Sequence, residues 1–266
     1  MANSSSGESV LDRITRILGA FEDGSPLLTL GELSRVAGLP VSTTHRLAGE
    51  LQAAGYLERD PEGRFGIGIR LWELAARSTS AERFRRTGRP VLEGVHAAVR
   101  QHVWLSVPRF EDFTVLYLER LDRHGSAVDV AEVAGRLGMH TTSAGLAMLA
   151  HAPWEVQERF LAGELERTTP ATETDPARIR AHLAQIRERG VVRLPGVLVE
   201  ENAGYAAPVF GPGNEVIGAI TVVVPLAEDN PQLVLPVLIA GARSLSRSMG
   251  SSRRGEGPRP WLRPAP

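Results

Sequence analysis

The sequence predicts an α+β protein with a small N-terminal domain and a larger C-terminal one. Residues 29–67 alternate short amphipathic segments with a turn-rich pair of strand patterns. Residues 81–250 mix helical patterns with β-branched strand patterns, which is typical of an antiparallel sheet with its helices segregated from it. The chain has 266 residues, of which 42% are hydrophobic, so each domain can have a core of its own.

The first predicted helix runs from Ser9 to Glu22. It carries more apolar side chains than neighbouring helices of this size need for packing, which favours dimerisation through part of this face. A second helix begins at Thr29, because Thr29 and Glu32 have the spacing of a capping box. It ends at Gly38, which supplies a left-handed residue, and the chain must turn there.

A third helix follows this turn, and Pro40 fits its first turn because the missing N–H costs nothing there. Leu47, Leu51 and Ala54 repeat at helical spacing and pack the helix on its partner, and Gly55 ends it. The side chains expected to point outward and reach phosphates and base edges are Ser42, Thr43, Thr44, His45 and Arg46.

A short hairpin completes the N-terminal pattern. Residues 56–59 and 64–67 are its predicted strands, and Pro and Gly bend its tip at residues 60–63. Two helices, a turn, a third helix and a hairpin in this order predict a winged helix-turn-helix, which lays one helix in the major groove of DNA. Arg59 and Arg64 are the basic residues expected to contact DNA from the hairpin, or wing.

The composition narrows the function classes. The chain has no cysteine, which excludes disulfides, thiolate metal sites and thiol catalysis. No apolar run reaches the length of a membrane span and the N-terminus is polar, so we expect a cytoplasmic protein with no membrane partner. The net charge is −1, and residues 1–80 hold 8 Arg against 10 Asp plus Glu. Binding to DNA should therefore depend on few phosphate contacts and on dimerisation.

The rest of the chain divides into short elements. Residues 68–80 are predicted as a connecting helix, and residues 136–139 as a bend that leads into a helix of small residues. The strand at 216–224 is nearly all apolar, which indicates a central position in the sheet. The other predicted helices are 83–102, 142–150, 153–162, 176–189 and 231–249, and the other strands are 103–107, 113–121, 127–133, 191–194 and 204–210.

Several sequence blocks together resemble the IclR family of bacterial transcriptional regulators. The blocks are Ser9 to Arg13, TLGELSRVAGLPVSTTHRLAGELQAAGYLERD from Thr29, Met139 to Ala150, Ile186 to Gly190 and Ala206 to Val209. The resemblance implies a dimerising winged helix that binds palindromic operators, and a GAF-like domain that binds a small effector and can pair dimers into tetramers. The predicted boundaries are 1–68 for the DNA-binding domain, 69–80 for the linker helix and 81–250 for the effector domain, and the composition of residues 251–266, rich in Arg, Pro and Gly, predicts a disordered tail.

The resemblance also implies where the effector binds, but this chain departs from the family there. At four positions where the family frequently has a polar residue, this chain has an apolar residue or glycine. Leu146 replaces a lysine, Gly204 a cysteine, Leu194 an acidic residue, and Val223 one of two hydroxyl residues. A charged ligand would lack partners, so we hypothesise a larger and more apolar effector than a small keto acid. The expected effector-binding residues are Met139, Ser143, Ala144, Asn202, Gly204, Tyr205, Thr221 and Val223.

The sequence contains no set of residues whose types and spacing indicate a catalytic site. The seven histidines show no metal-ligand spacing, and no glycine-rich phosphate loop follows a strand, so we expect neither a metal nor a cofactor. The main hypothesis is an effector-responsive transcription factor. The alternative, favoured weakly by the acidic balance of residues 1–80, is an enzyme or ligand carrier whose N-terminal domain only assembles protomers.

Overall fold

A computed structural model describes residues 8–22, 26–77, 79–122 and 132–253. The chain separates into two compact units, Met1–Glu82 and Arg83–Pro266. Among the described residues, no helix has both the length and the apolar character that crossing a membrane requires.

The N-terminal unit is the winged helix-turn-helix that the sequence predicts. Capping boxes start its first two helices, at Ser9 with Asp12 and at Thr29 with Glu32, and Gly38 ends the second with φ of 60°. Its elements are α1 (Val10–Gly19), α2 (Leu30–Ala37), α3 (Val41–Ala53), β1 (Leu57–Arg59), β2 (Phe65–Ile67) and α4 (Ile69–Ala76). The core of this unit is formed mainly by Ile17, Leu33, Leu47, Leu57 and Phe65.

The connecting helix is shorter than predicted. Helix α4 ends at Ala76, and a separate helix, α5 (Thr79–Val99), begins a few residues later. The sequence that follows Ala76, from Arg77 to Ser80, contains Ser and Thr residues, which favour helix ends because their side chains compete for backbone hydrogen bonds.

The C-terminal unit is built on an antiparallel sheet, which confirms the α+β prediction. Within the described residues, six strands follow the order β5-β4-β3-β8-β7-β6. Strand β8 lies between β3 and β7, as its apolar sequence predicts. The strands are β3 (His102–Arg109), β4 (Thr114–Leu121), β5 (Arg136–Gly138), β6 (Val192–Pro195), β7 (Asn202–Phe210) and β8 (Val216–Pro225), and the remaining helices are α6 (Ser143–Leu149), α7 (Trp154–Leu161), α8 (Pro176–Arg189) and α9 (Pro231–Ser248).

The sheet separates two cores. Helices α5 and α9 pack on one face, where Leu92 and Leu238 belong to the same buried cluster as Ile220 and Val222 of β8. Helices α6, α7 and α8 belong to the core on the other face, which Val223 of β8 joins. Because successive side chains of a strand point to opposite faces, each central strand serves both cores.

Three predictions for this unit differ from the structure or lie partly outside the described residues. Residues 136–139 do not lead directly into a helix, because Arg136–Gly138 form β5 and pair with Thr114, Val115 and Leu116 of β4. The strand predicted at 127–133 lies largely outside the described residues, and Val133 belongs to a turn. The tail predicted as disordered is described only for residues 251–253.

Candidate functional site

The turn between α2 and α3 is held by three side-chain hydrogen bonds, one from Ser34 of α2 and two from Arg16 of α1. Gly38 takes the left-handed conformation, and the Ser34 hydroxyl donates to the carbonyl of Leu39 over 2.6 Å. Arg16 of α1 donates from Nε to the carbonyl of Ala37 over 2.7 Å and from Nη2 to that of Gly38 over 2.6 Å. These bonds fix the start of α3 relative to α1 and α2, so the exposed face of α3 is presented by a rigid frame.

The outward face of α3 carries four of the five side chains that the sequence indicated. Ser42, His45 and Arg46 are exposed and Thr43 is half-buried. The prediction for Thr44 is wrong, since its side chain is fully buried and its hydroxyl donates to the carbonyl of Pro40 over 3.1 Å. Four outward polar side chains, one of them a guanidinium, suit contacts with phosphates and base edges.

The wing carries the two predicted arginines. Arg59 is exposed and its guanidinium carbon lies 4.2 Å from the centre of the Phe65 ring. Arg64 donates from Nε to Asp60 over 2.7 Å and also pairs with Glu62 over 3.4 Å. Both arginines are therefore accessible, but the charge of Arg64 is already balanced by two carboxylates of the hairpin tip.

The C-terminal unit contains a pocket on the α6 side of the sheet. The empty space inside it, including its open mouth, is about 410 Å³. Five of the eight residues that the sequence indicated line it, namely Ser143, Asn202, Gly204, Thr221 and Val223. The pocket lies where β7 and β8 pair, since Gly204 is opposite Val223 in their register.

The other three predicted residues do not line the pocket. Met139 and Ala144 are fully buried in the core beneath α6. Tyr205 follows Gly204 on β7 and therefore points to the opposite face of the sheet, into the α5 and α9 core. The Tyr205 hydroxyl accepts a hydrogen bond from Arg193 Nε over 3.0 Å and donates to Asp229, so it takes part in a network remote from the pocket.

The structure adds residues to the pocket that the sequence did not indicate. Tyr117 of β4 was detectable in principle, because β4 alternates buried and half-buried residues and Tyr117 shares a face with Val115. The loop after β6 carries no local signal of its contribution, because the fold alone brings it to the pocket. The added residues are Tyr117, Thr141, Thr142, Val197, Leu198 and Val199. Leu194, which stands where the family frequently has an acidic residue, lines the pocket as well.

The pocket has an apolar wall and several polar groups, but no charged group among its described lining residues. None of the described residues that line it has an ionisable acid or a cation, and Tyr117 is its one titratable side chain. Burial raises the pKa of the Tyr117 hydroxyl well above its usual range, although a hydrogen bond with Thr142 opposes this, so the phenol stays protonated at neutral pH.

One polar atom in the pocket stands out. The Thr221 Oγ1 atom is buried and has no hydrogen-bond partner among the described residues. An unmade hydrogen bond of a buried hydroxyl costs free energy, and a polar group within reach of this oxygen would relieve that cost.

No metal centre is apparent in the described ranges. No three His, Asp or Glu side chains within them lie close enough to hold an ion. The His140 ring lies beside the carbonyl of Glu166, with Nε2 2.7 Å from that oxygen.

Two family profiles match most of the chain. One, for the IclR helix-turn-helix domain, matches residues 10–61, and the other, for the C-terminal part of the bacterial transcriptional regulator IclR, matches residues 77–247. The chain belongs to the IclR family of bacterial transcriptional regulators. The resemblance found in the sequence is thus confirmed, and with it the function: this IclR-family protein is a DNA-binding transcriptional regulator with a C-terminal effector-binding domain.

Individual IclR-family relatives align along most of their length. The regulator BhcR of Paracoccus denitrificans is 30% identical, with 93% of this chain and 90% of the relative covered. The transcriptional repressor IclR of Escherichia coli is 26% identical, with 91% and 90% covered. A crystal structure of an IclR homologue from Microbacterium hydrocarbonoxydans, complexed with 4-hydroxybenzoate, has 38% identity and a TM-score of 0.85, with 91% of this chain and 99% of that chain covered.

Proposed function

We propose that this IclR-family regulator binds a palindromic operator as a homodimer and that an uncharged, largely apolar small molecule in the C-terminal pocket changes its affinity for the operator. The observation that carries the DNA-binding part is the exposed polar face of α3, with Ser42, His45 and Arg46, on a helix whose start is fixed by the Gly38 turn. A protein with this function acts in the cytoplasm, where bacterial operators are found.

The proposal assigns readout of the operator to α3 and its anchoring to the wing. Arg46 is the cation of the recognition helix, and Arg59 supplies a second cation from β1. Because the net charge of the chain is −1, nonspecific attraction to DNA should be weak and specific contacts should dominate.

Dimerisation is supported by exposed apolar side chains on two helices of the N-terminal unit. Leu11 of α1 is 70% exposed and Trp72 of α4 is 65% exposed, and Val10, Ile69 and Leu74 are at least half exposed. We propose a second copy of the chain as the partner of these faces, because a twofold dimer matches a palindromic operator with half-sites one helical turn, or a multiple of it, apart. Sedimentation velocity of Leu11→Glu tests this, since loss of the dimer is expected and an unchanged dimer would contradict it.

The class of effector follows from the pocket lining. A carboxylate would find no cationic side chain there, whereas a carbonyl or hydroxyl could bond to Thr221, Ser143 or Asn202. The Microbacterium hydrocarbonoxydans homologue was crystallised with 4-hydroxybenzoate, which supports a ligand built on one aromatic ring. We therefore propose an effector of this size without a net charge, and no catalytic role for the pocket.

The first experiment measures binding of the protein to its own upstream intergenic DNA by fluorescence anisotropy over a series of salt concentrations, with unrelated DNA for comparison. The variant Arg46→Ala should weaken specific binding by roughly 5-fold to 150-fold and flatten the salt dependence. Arg178→Ala, which removes a highly exposed arginine of α8, is the matched control and should bind as wild type. Equal binding by Arg46→Ala and wild type would contradict the assignment of operator readout to this face of α3.

The effector class is tested with a pair of probes of nearly equal size. Methyl 4-hydroxybenzoate is uncharged at neutral pH and 4-hydroxybenzoate carries a carboxylate. We expect the ester to bind more tightly by calorimetry and to change operator affinity. Preference for the carboxylate would contradict the proposed class while leaving the DNA-binding proposal intact.

A further inference from the structure

One wall of the effector pocket is a loop without regular secondary structure. Val197, Leu198 and Val199, which follow β6, line the pocket from this loop. The loop has few backbone hydrogen bonds of its own: Gly196 N donates to Asn202 O over 2.8 Å, and Asn202 N donates to Val199 O over 3.1 Å. The position of this apolar wall must therefore depend on contacts from elsewhere in the unit.

Those contacts come from three threonine hydroxyls in the segment between α7 and α8. Thr169 Oγ1 lies 2.7 Å from the carbonyl oxygen of Gly196. Thr168 Oγ1 and Thr172 Oγ1 lie 2.9 Å and 3.0 Å from the carbonyl oxygen of Val197. Thr169 and Thr172 are buried, so these bonds are shielded from competing water.

The donors and acceptors of this cluster balance. Each hydroxyl has one proton, and the carbonyl oxygens of Gly196 and Val197 can accept all three, because each carbonyl oxygen has two lone pairs. Thr172 Oγ1 also accepts from the backbone N–H of Thr169 over 2.9 Å, and that bond fixes the turn that carries the threonines. Thr172 is thus both the centre of the cluster and a bridge to the loop.

We propose that Thr168, Thr169 and Thr172 form a threonine clip that holds the Val197–Val199 wall in place and so sets the length of ligand that the pocket admits. The threonines act as positioning residues through the loop. The inference rests on the proposed effector site, since the wall is part of that pocket. It assigns a role in ligand selectivity to a segment that does not itself line the pocket.

Three variants separate this role from general stability. Thr172→Val keeps the shape of the side chain and removes the central hydroxyl. Thr172→Ser keeps the hydroxyl and should behave as wild type. Thr174→Val makes the same change two residues away, where the hydroxyl accepts from Arg167 Nη2 over 2.9 Å and, among the described residues, has no hydrogen bond with residues 196–199.

The binding test uses the methyl, ethyl, propyl and butyl esters of 4-hydroxybenzoate as probes. A wall that can move gives each added methylene room to be buried, which makes binding roughly fourfold tighter for each one. In Thr172→Val, we expect the affinity to rise by nearly this factor with each longer ester. In wild type, Thr172→Ser and Thr174→Val, the affinity should stop rising once the ester chain reaches the length that the fixed wall allows. Equal weakening of all four esters in Thr172→Val would indicate general destabilisation and overturn the proposal.

A second measurement needs no ligand. Amide hydrogen exchange of residues 196–202, followed by mass spectrometry, should become at least about tenfold faster in Thr172→Val than in Thr174→Val, because the Gly196 and Asn202 amides lose their partners when the loop opens. Unchanged exchange overturns the clip. If no ester binds wild-type protein, the proposed effector class fails, and the exchange result alone then supports or overturns the clip.

Discussion

The guanidinium of Arg16 donates from Nη2 to the backbone carbonyl of Gly38, over 2.6 Å and 22 residues of sequence. A second bond from Nε reaches Ala37. The last carbonyls of a helix have no partner within the helix, and here a side chain from α1 supplies one. Arg16 therefore joins α1 to the turn that orients the recognition helix.

Replacing Arg16 should weaken both the N-terminal unit and its contact with DNA. Arg16→Met keeps the aliphatic part of the side chain but removes the guanidinium, which makes these two bonds and a partly exposed ion pair with Glu8, and this should lower the free energy of unfolding by about 1 to 3 kcal/mol. Operator affinity should fall with it, because α3 is held less firmly. Calorimetric unfolding and anisotropy measure the two effects. Arg13→Met, which removes only a bond to the Ser9 carbonyl, is the control, and a stability no lower than that of the control would contradict the role of Arg16.

Removing the carboxylate of Glu50 should strengthen operator binding. Arg46 Nη1 lies 2.6 Å from Glu50 Oε1, and both side chains are more than half exposed, so the pair contributes little to stability. Glu50→Gln frees the guanidinium for a phosphate and removes a repulsive charge, and we expect an affinity gain of about threefold or more at low salt. Glu93→Gln, which affects the similar pair with Arg89, should leave binding unchanged. An unchanged affinity for Glu50→Gln would mean that Arg46 does not approach the backbone of DNA.

Thr221 and Tyr205 lie on opposite faces of the sheet, so removing their hydroxyls should have opposite effects on ligand affinity and on stability. Thr221→Val removes the buried hydroxyl without a partner, so binding of methyl 4-hydroxybenzoate should weaken while the unliganded protein stays as stable as wild type. Tyr205→Phe removes bonds to Arg193 and Asp229, so stability should fall by about 1 kcal/mol with ligand affinity unchanged. Calorimetry and denaturant unfolding of both variants check this. The reverse pattern would place Tyr205 at the ligand.

His151 predicts a loss of stability in acid. Burial, with smaller contributions from Arg253 and Arg187, lowers the pKa of His151 to about 4, and its Nε2 atom has no partner among the described residues. The unfolded chain takes up this proton near pH 6.5 and the folded protein only near pH 4, so stability falls as the pH drops between these values. His151→Leu should lose this part of the pH dependence. Compared with its difference from wild type at pH 7, the free energy of unfolding of the variant should therefore be higher by roughly 2 to 3 kcal/mol at pH 4. A constant stability difference between the two proteins from pH 7 to pH 4 would contradict the prediction.

The sequence predicted the elements whose ends are set by local chemistry. The capping box at Thr29, the stop at Gly38 and the apolar run of β8 depend only on neighbouring residues, and the structure has a helix start, a turn and a central strand at these places. The break after Ala76 was predicted four residues too late, after residue 80, because its only signal is a short polar run within a helical pattern.

The site predictions failed at residues whose role depends on the direction in which the side chain points. Five consecutive residues of a helix cannot all face outward, and Thr44 shares its face with the buried Leu47 and Leu51, three and seven residues on. Tyr205 fails for the analogous reason on a strand, since its neighbour Gly204 lines the pocket. The wall at Val197–Val199 was not predictable from sequence, because the threonines that hold it lie 25 to 29 residues earlier in the chain.

Alternate residues of strand β8 serve two separate purposes, so they can be substituted independently. Thr221 and Val223 belong to the pocket, whereas Ile220 and Val222 support helices α5 and α9 on the other face. Substitutions at the first pair can retune which metabolite is sensed without repacking the helices that scaffold the unit. A gene duplicate could thus acquire a new inducer through a few alternate codons, and a laboratory library confined to those codons should yield altered regulators at high frequency.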